Sequence, residues 1–492
     1  MAITFNLVSP TAAASAVFVE EEAVKRGTGS AVIPRKILVP GQYNSGKSPT
    51  VNVAQRILSV SDAWDRYGRG SMLAAMIEKI IDNSGGVPVY ALPLADDGAA
   101  VAATGTIALT GNATAAGTLS VYVGGVNVPV AVAVDDTATE VGAAVAAAVN
   151  ANLDLPVTAA NVTGTVTFTV RWKGEAGNQI QLEINRADTE STPAGLAATV
   201  TDIGDVVAGA TDPVLTTALG NLGDTWYTEI ASPYNADTPL DALEAAGAAR
   251  VDPGVKRPFA GFTGYTGTYA DYLTALDSRN SEWTTFVPVH GSPTPAYMIS
   301  AALTAIFARY QQATPGRPMK NLTLPSVIEG STNDLSYTER DAAVVAGGSH
   351  TYNQSDGTVT VGDLVTTRTT TAAGAATTDW RFTIIIPNLQ FKIYALEQAF
   401  LSSPFDRAVV VANGSGVVPS YAVTPNMVKA RGIGLVDDWV ERGLSTDRDN
   451  IVDAMTAEIN GSNAGRIDLL IPDVPSAGLR ILAAKLEWAF LV

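Results

Sequence analysis

Cysteine is absent from all 492 residues. That excludes disulfides, thiol nucleophiles and cysteine-built metal sites together. Histidine is nearly absent too. Only His290 and His350 occur, and neither has a companion at metal-ligand spacing. Charge is scarce, at 16% of residues against roughly 25% in an average soluble domain. A monomer keeps itself soluble with a charged surface, whereas a subunit that hides surface against neighbours needs less charge. The scarcity leans toward assembly. Basic clusters are missing as well: Lys25-Arg26, Arg35-Lys36 and Lys256-Arg257 are isolated pairs on a chain of formal charge -17. Diffuse acidity repels a phosphate backbone, so nucleic acid is not expected as a direct partner. No apolar run reaches the roughly 20 residues of a bilayer-spanning helix; Ala296 to Ala308 is among the most apolar helical stretches. The opening MAITFNLVSPTAAASAVFVEEE has no basic region ahead of a compact apolar core. The expectation is a soluble protein made and kept in the cytoplasm.

What is present predicts a multidomain α/β chain, since a chain of this length exceeds one comfortable core and two to four domains are expected. The predicted organisation is an N-terminal arm (1–20), a discontinuous layered α/β domain (21–95 and 206–380), an inserted β-rich domain (96–205), a C-terminal α/β domain (381–478) and a C-terminal strand (479–492). Short strands are expected at Lys36 to Val39, Thr50 to Val53 and Val87 to Leu92. Met72, Leu73, Met76, Ile77, Ile80 and Ile81 repeat at helical spacing behind a Ser71 cap. Near Asp96 the composition shifts to Ala, Val, Thr and Gly. Segments 105–110, 118–123, 126–134, 164–172 and 179–184 then read as strands, with one Ala-rich helix at 139–149. Such an insert is expected on the outside of something larger.

Helices are expected again at 240–250, after Thr238-Pro239, and at the stretch following Thr294-Pro295. Ser336 and Glu339 form a capping-box pattern. Thr284 to Val289 reads as a strand and Thr358 to Val361 as a hairpin arm. The C-terminal section shows helices at 389–401, 425–439 and 448–460, with strands at 466–471 and 479–492.

The strings that invite an enzymatic reading fail on context. Gly41-Gln42-Tyr43-Asn44-Ser45-Gly46-Lys47-Ser48 satisfies a phosphate-loop spacing. Its mechanism requires the loop to open into a helix whose first amides hold the phosphates. Here it runs into Pro49-Thr50-Val51-Asn52-Val53, which alternates as a strand. His290 reads as a hydrogen-bonding residue at a strand end, with no nucleophile elbow near it in sequence, and His350 as a loop residue. The pairs Asp96-Asp97, Asp135-Asp136 and Asp437-Asp438 read as turn or surface positions, because acid/base pairing depends on spatial separation. No catalytic, cofactor-binding or metal-binding residue is assigned.

The termini carry more. Ile3, Phe5 and Leu7 alternate with polar residues at strand period. Leu482, Ala484, Leu486, Trp488, Phe490 and Val492 fall on one face of a strand, with Lys485 and Glu487 on the other. Each terminal strand can pair inside its own domain, or it can extend a neighbour's sheet, where backbone ladders supply affinity and alternate side chains supply register.

The chain resembles contractile phage tail sheath proteins, in particular those of Mu-like phages and prophages. The resemblance rests on Ile3-Thr4-Phe5-Asn6, Val39-Pro40-Gly41-Gln42-Tyr43 and Tyr67-Gly68-Arg69-Gly70-Ser71-Met72-Leu73-Ala74. It continues through Trp226-Tyr227, Ile230-Ala231-Ser232-Pro233-Tyr234, Pro253-Gly254, Arg340-Asp341, Asp447-Arg448-Asp449 and Arg466-Ile467-Asp468. It covers nearly the whole chain apart from the β-rich insert. It implies a homo-oligomer of stacked six-fold rings with a helical twist, wrapped around a tail tube protein and bounded by a baseplate and a tail terminator. It also implies terminal arms that add strands to the C-terminal domains of neighbours, with Ile3, Phe5 and Leu7 at one end and Leu482, Leu486, Trp488 and Phe490 at the other. Part of the core of such proteins is likened to subtilisin-type folds without their catalysis. The implied location is the virion tail, assembled in host cytoplasm. No cofactor and no enzymatic activity are expected, and a baseplate signal rather than nucleotide triggers contraction. Two other classes stay open from residues alone: a non-contractile virion or capsid surface protein, and a phosphate-binding α/β enzyme.

Overall fold

A mixed six-stranded sheet organises residues 37–288. Its strands run in the order Thr284–Pro288, Ala260–Tyr265, Glu229–Ser232, Ile37–Gln42, Val89–Leu94, Gln55–Ile57. The first five are parallel, and only Gln55–Ile57 is antiparallel to its neighbour. Ile37–Gln42 is buried at every position, as expected for a strand covered on both faces. The computed structural model describes residues 33–416 and 419–487.

Helix Met72–Asn83 starts where the sequence places it, with Ser71 Oγ accepting from the Ala74 amide. It buries its apolar face in the same core as Ala301, Ala305 and Ala308 of the helix Ala296–Ala313. That second helix lies close against the strand Ala260–Tyr265. A Cβ on Gly264 would stand 1.9 Å from the Ala296 carbonyl oxygen, so only glycine permits the approach. Phe262 and Phe307 complete the contact, their ring centroids 4.7 Å apart.

Residues 104–201 form the β-rich region. One antiparallel sheet has the order Leu196–Thr201, Thr104–Gly111, Thr165–Val170, Val157–Val162, and the other has Val126–Val132, Gly117–Val123, Leu182–Ile184. Helix Ala138–Ala151 carries a complete capping box from Thr137 and Glu140. The apolar interior of this region is continuous with that of the parallel sheet. Trp172 meets Tyr297 edge-on at 5.5 Å.

A small antiparallel sheet, Thr323–Ile328, Thr358–Val361 and Thr351–Asn353, flanks the helix Tyr337–Val345, which the Ser336/Glu339 box caps. Helix Ile385–Phe400 leads into the C-terminal part. Its Gln390 Nε2 donates to the Thr228 and Pro258 carbonyls, and its Oε1 accepts from Arg35, itself ion-paired with Glu229. Both charges are fully buried, and burial pushes the Glu229 carboxyl up. Around helices Pro425–Glu441 and Arg448–Ala454 the core comprises Phe391, Val436, Trp439, Leu444, Ile451 and Met455.

Several elements differ from expectation. Thr50 to Val53 is not a strand: Asn52 has φ 59° and turns the chain, and the strand follows at Gln55–Ile57. The helix expected from Thr238 begins at Asp237 with Ala236 at its cap, so Thr238 lies inside it. Thr294 does not cap the next helix; its Oγ1 accepts from the Ile328 amide instead. The helix expected at 448–460 stops at Ala454, because Thr456–Ile459 pairs with Ile467–Leu470. Strands Val157–Val162 and Leu196–Thr201 have no counterpart among the expected segments.

Candidate functional site

Each enzyme-like string resolves into structural work. Gly41 and Gln42 end a strand, and Lys47 Nζ donates to the Asp65 carbonyl. The loop does not open into a helix: the first helix after it is Val60–Tyr67, capped by Ser59. Gly41 packs against the first turn of Met72–Asn83, where a Cβ on it would stand 3.3 Å from Leu73 Cα. His290 is fully buried. Its Nδ1 donates to the Gly267 carbonyl at 2.8 Å, and the rings of Tyr265, Tyr269 and Tyr272 surround it. Burial holds its pKa down even though the Gly267 hydrogen bond opposes that.

The acidic pairs are likewise engaged. Asp96 accepts from Gln42 and Asp97 from the Ala99 amide; Asp136 accepts from the Ala133 amide. Asp437 pairs with Arg448 and Asp438 with Arg442. Among the described residues no group of three or more metal-ligating side chains is arranged to hold an ion. No helix among them is long and apolar enough to cross a membrane.

The C-terminal segment is built differently. It leaves the hairpin Thr456–Ile459/Ile467–Leu470 and crosses to the body through Asp473, which accepts from Lys392 Nζ at 2.5 Å and from Ser445 Oγ at 2.6 Å. The Thr446 amide donates to the Val474 carbonyl and the Ser476 amide to the Leu444 carbonyl. Four residues further on, Arg480 makes two bonds to Asp363, at 2.8 and 3.0 Å, and stacks over Phe382. His350 Nε2 lies 3.4 Å from the same carboxylate. His350 therefore supports a contact of the chain's own tail, a role that no local sequence signal gives.

Beyond Arg480 the chain parts from the expectation of an intrinsic strand. Residues 476–487 belong to no sheet among the described residues. Leu482 is 83% and Leu486 88% exposed. Trp488 and Phe490, and Ile3, Phe5 and Leu7 at the other end, lie outside the described residues. Elsewhere in the C-terminal part an open groove of about 310 Å³ is lined by Phe400, Phe405, Val410, Val423, Ile467 and Leu469. Beside it, Ile467–Leu470 is paired on one side only among the described residues. Neither the groove nor the Arg480–Asp363 contact is visible in the sequence, since their members are scattered along it.

No protein-family model matches the chain. Over 490 residues it is 28% identical to the Mu-like prophage FluMu tail sheath protein of Haemophilus influenzae, a match covering 99% of this chain and 100% of that one. Along its whole length, the chain resembles a phage tail sheath protein. Among solved structures it is similar to a sheath tail protein of Desulfitobacterium hafniense, at 12% identity and TM-score 0.49, covering 94% of this chain and 97% of that one. It is also similar to the sheath of an extracellular contractile injection system in its contracted state, at 9% identity and TM-score 0.49, covering 98% and 99%.

Proposed function

We propose that this chain is the structural subunit of a contractile phage tail sheath, polymerising around a tail tube and contracting to drive it through the host envelope. The carrying observation is the end-to-end match to a tail sheath protein, which covers 99% of this chain and 100% of that one. The subunit is not an enzyme in this reading. It assembles in host cytoplasm as stacked six-fold rings in a helical array, with a baseplate and a tail terminator at its ends.

The terminal arms are the assembly elements: Ile3, Phe5 and Leu7 at the start, and Leu482, Leu486, Trp488 and Phe490 at the end. An apolar segment without a ladder of its own is suited to strand addition. Leu482 and Leu486 are exposed in the single subunit. The groove beside Ile467–Leu470 offers an apolar floor next to a strand edge that is unpaired among the described residues, and we assign it as the acceptor on a neighbouring copy. The parallel sheet is the part we liken to subtilisin-type folds, and we read residues 96–205 as an outward-facing insert.

Negative-stain microscopy of the concentrated protein tests the proposal. Hollow striated tubes are expected; closed shells or persistent monomers would refute it. Magnesium-ATP should leave the melting temperature unchanged, since a ligand that binds only the folded state raises it.

A further inference from the structure

Among the described residues, Arg480 is the last in the chain to bond to a part of the molecule outside the C-terminal segment. We propose that Arg480 and Asp363 form a latch that holds residues 477–480 on the body and fixes where the C-terminal arm departs. The proposal rests on reading the residues beyond Arg480 as a donated arm.

Three contacts of different kinds converge on this one residue. The guanidinium meets the carboxylate through two nearly equal bonds, the geometry in which a planar cation is held in orientation as well as in place. Its other surface lies 4.0 Å from the centre of the Phe382 ring. Lys320 Nζ donates to the Arg480 carbonyl at 3.3 Å, fixing the backbone. Two residues earlier, the chain runs directly against the body. A Cβ on Gly478 would stand 2.4 Å from Cγ of Pro318, so any side chain there lifts the segment away.

Apolar burial does not hold this stretch. Leu479 and Ile481 flank Arg480 and are 78% and 71% exposed. A cavity of about 350 Å³ with Met319, Leu364, Phe382 and Ile384 in its wall opens beside them. The segment is thus retained by a charged contact while its hydrophobic residues stay free. Opening such a contact exposes little apolar surface, the faces of Phe382 and Pro318 that Arg480 and Gly478 cover, which distinguishes a latch from a permanently packed terminus. Until it opens, only residues after Arg480 can move away as an arm.

Trypsin reads the latch directly, because it must take the basic side chain into its own specificity pocket. The segment carries two targets, Arg480 in the latch and the exposed Lys485. In the soluble wild-type subunit, cleavage after Lys485 should be at least about tenfold faster than after Arg480, since cutting tracks the open population. Asp363→Asn and Gly478→Ala should each accelerate the Arg480 cut about tenfold and leave the Lys485 cut unchanged. Equal rates at the two sites in the wild type would overturn the latch, and that comparison needs no variant. An Arg480 rate unaffected by both substitutions would overturn it too. Sedimented tubes separate the latch from the reading beneath it. Protection of Lys485 there supports arm donation. Cleavage of Lys485 in tubes at the free-subunit rate would refute donation while leaving a latch seen in the subunit intact.

Discussion

Lys392 and Asp473 lie 81 positions apart and meet at 2.5 Å, joining the helix Ile385–Phe400 to the start of the C-terminal segment. Lys392 also donates to the Leu444 carbonyl, which accepts from Asn388 as well. Burial pulls the lysine's pKa down, against the stabilising carboxylate. The pair is therefore a desolvated joint whose halves need each other. Lys392→Met alone should destabilise the subunit by about 3 kcal/mol, the lower end for breaking a buried pair because Asp473 keeps some solvent. Adding Asp473→Leu should recover much of the loss. Denaturant melts of both variants check this, and an unstable double variant would count against the account.

Leu482 and Leu486 give the opposite expectation. Because both are exposed, replacing them with serine should change subunit stability by less than about 0.5 kcal/mol. Tube formation should be lost. Circular dichroism melting and sedimentation on one preparation measure both. The pair Trp488→Ser and Phe490→Ser, beyond the described residues, has the same expected outcome, and normal contractible tubes from it would defeat the choice of anchors.

Asp363 sets a pH dependence. Burial alone would raise its carboxyl, but hydrogen bonds from His350 and Arg480, with the Arg480 charge, hold it well below the usual carboxylate range. A depressed folded pKa stabilises fully above the unfolded value of about 3.9 and is lost as pH falls toward the folded value. The difference in melting temperature between wild type and Asp363→Asn should be constant from pH 7 to about 5 and shrink below about 4. A difference that disappears near pH 6 would implicate another group.

The β-rich region shares its core with the parallel sheet, so its removal should be felt there. Trp172→Ala should destabilise by about 3–5 kcal/mol, the range for deleting a large buried aromatic. Deleting residues 96–205 and joining the flanks uncovers Tyr297 and should lower the melting temperature. If the region faces outward, tubes should still form at reduced temperature. A folded deletion variant that cannot assemble would place this region in a subunit contact.

The sequence by itself determined what depends on neighbours within a few positions. Helix Met72–Asn83 follows from Ser71 and an apolar stripe, and the cap at Ser336 from Glu339 three residues on. The missing cysteines and the two isolated histidines removed whole classes of chemistry without coordinates. Period-two alternation at Leu482 and Leu486 marked the C-terminal segment, although alternation says which side chains share a face and not what pairs with the backbone. Only the tertiary structure decided the rest. Val157–Val162 and Leu196–Thr201 are short runs of small residues that become strands because Thr165–Val170 and Thr104–Gly111 lie beside them. Thr456–Ile459 leaves a helical pattern for the same reason. Arg480 and Asp363 are 117 positions apart, and nothing near either one announces the other. A cap or a helical face is a local energy minimum readable from spacing; a ladder or a charge pair exists only once the fold has brought its second half into place.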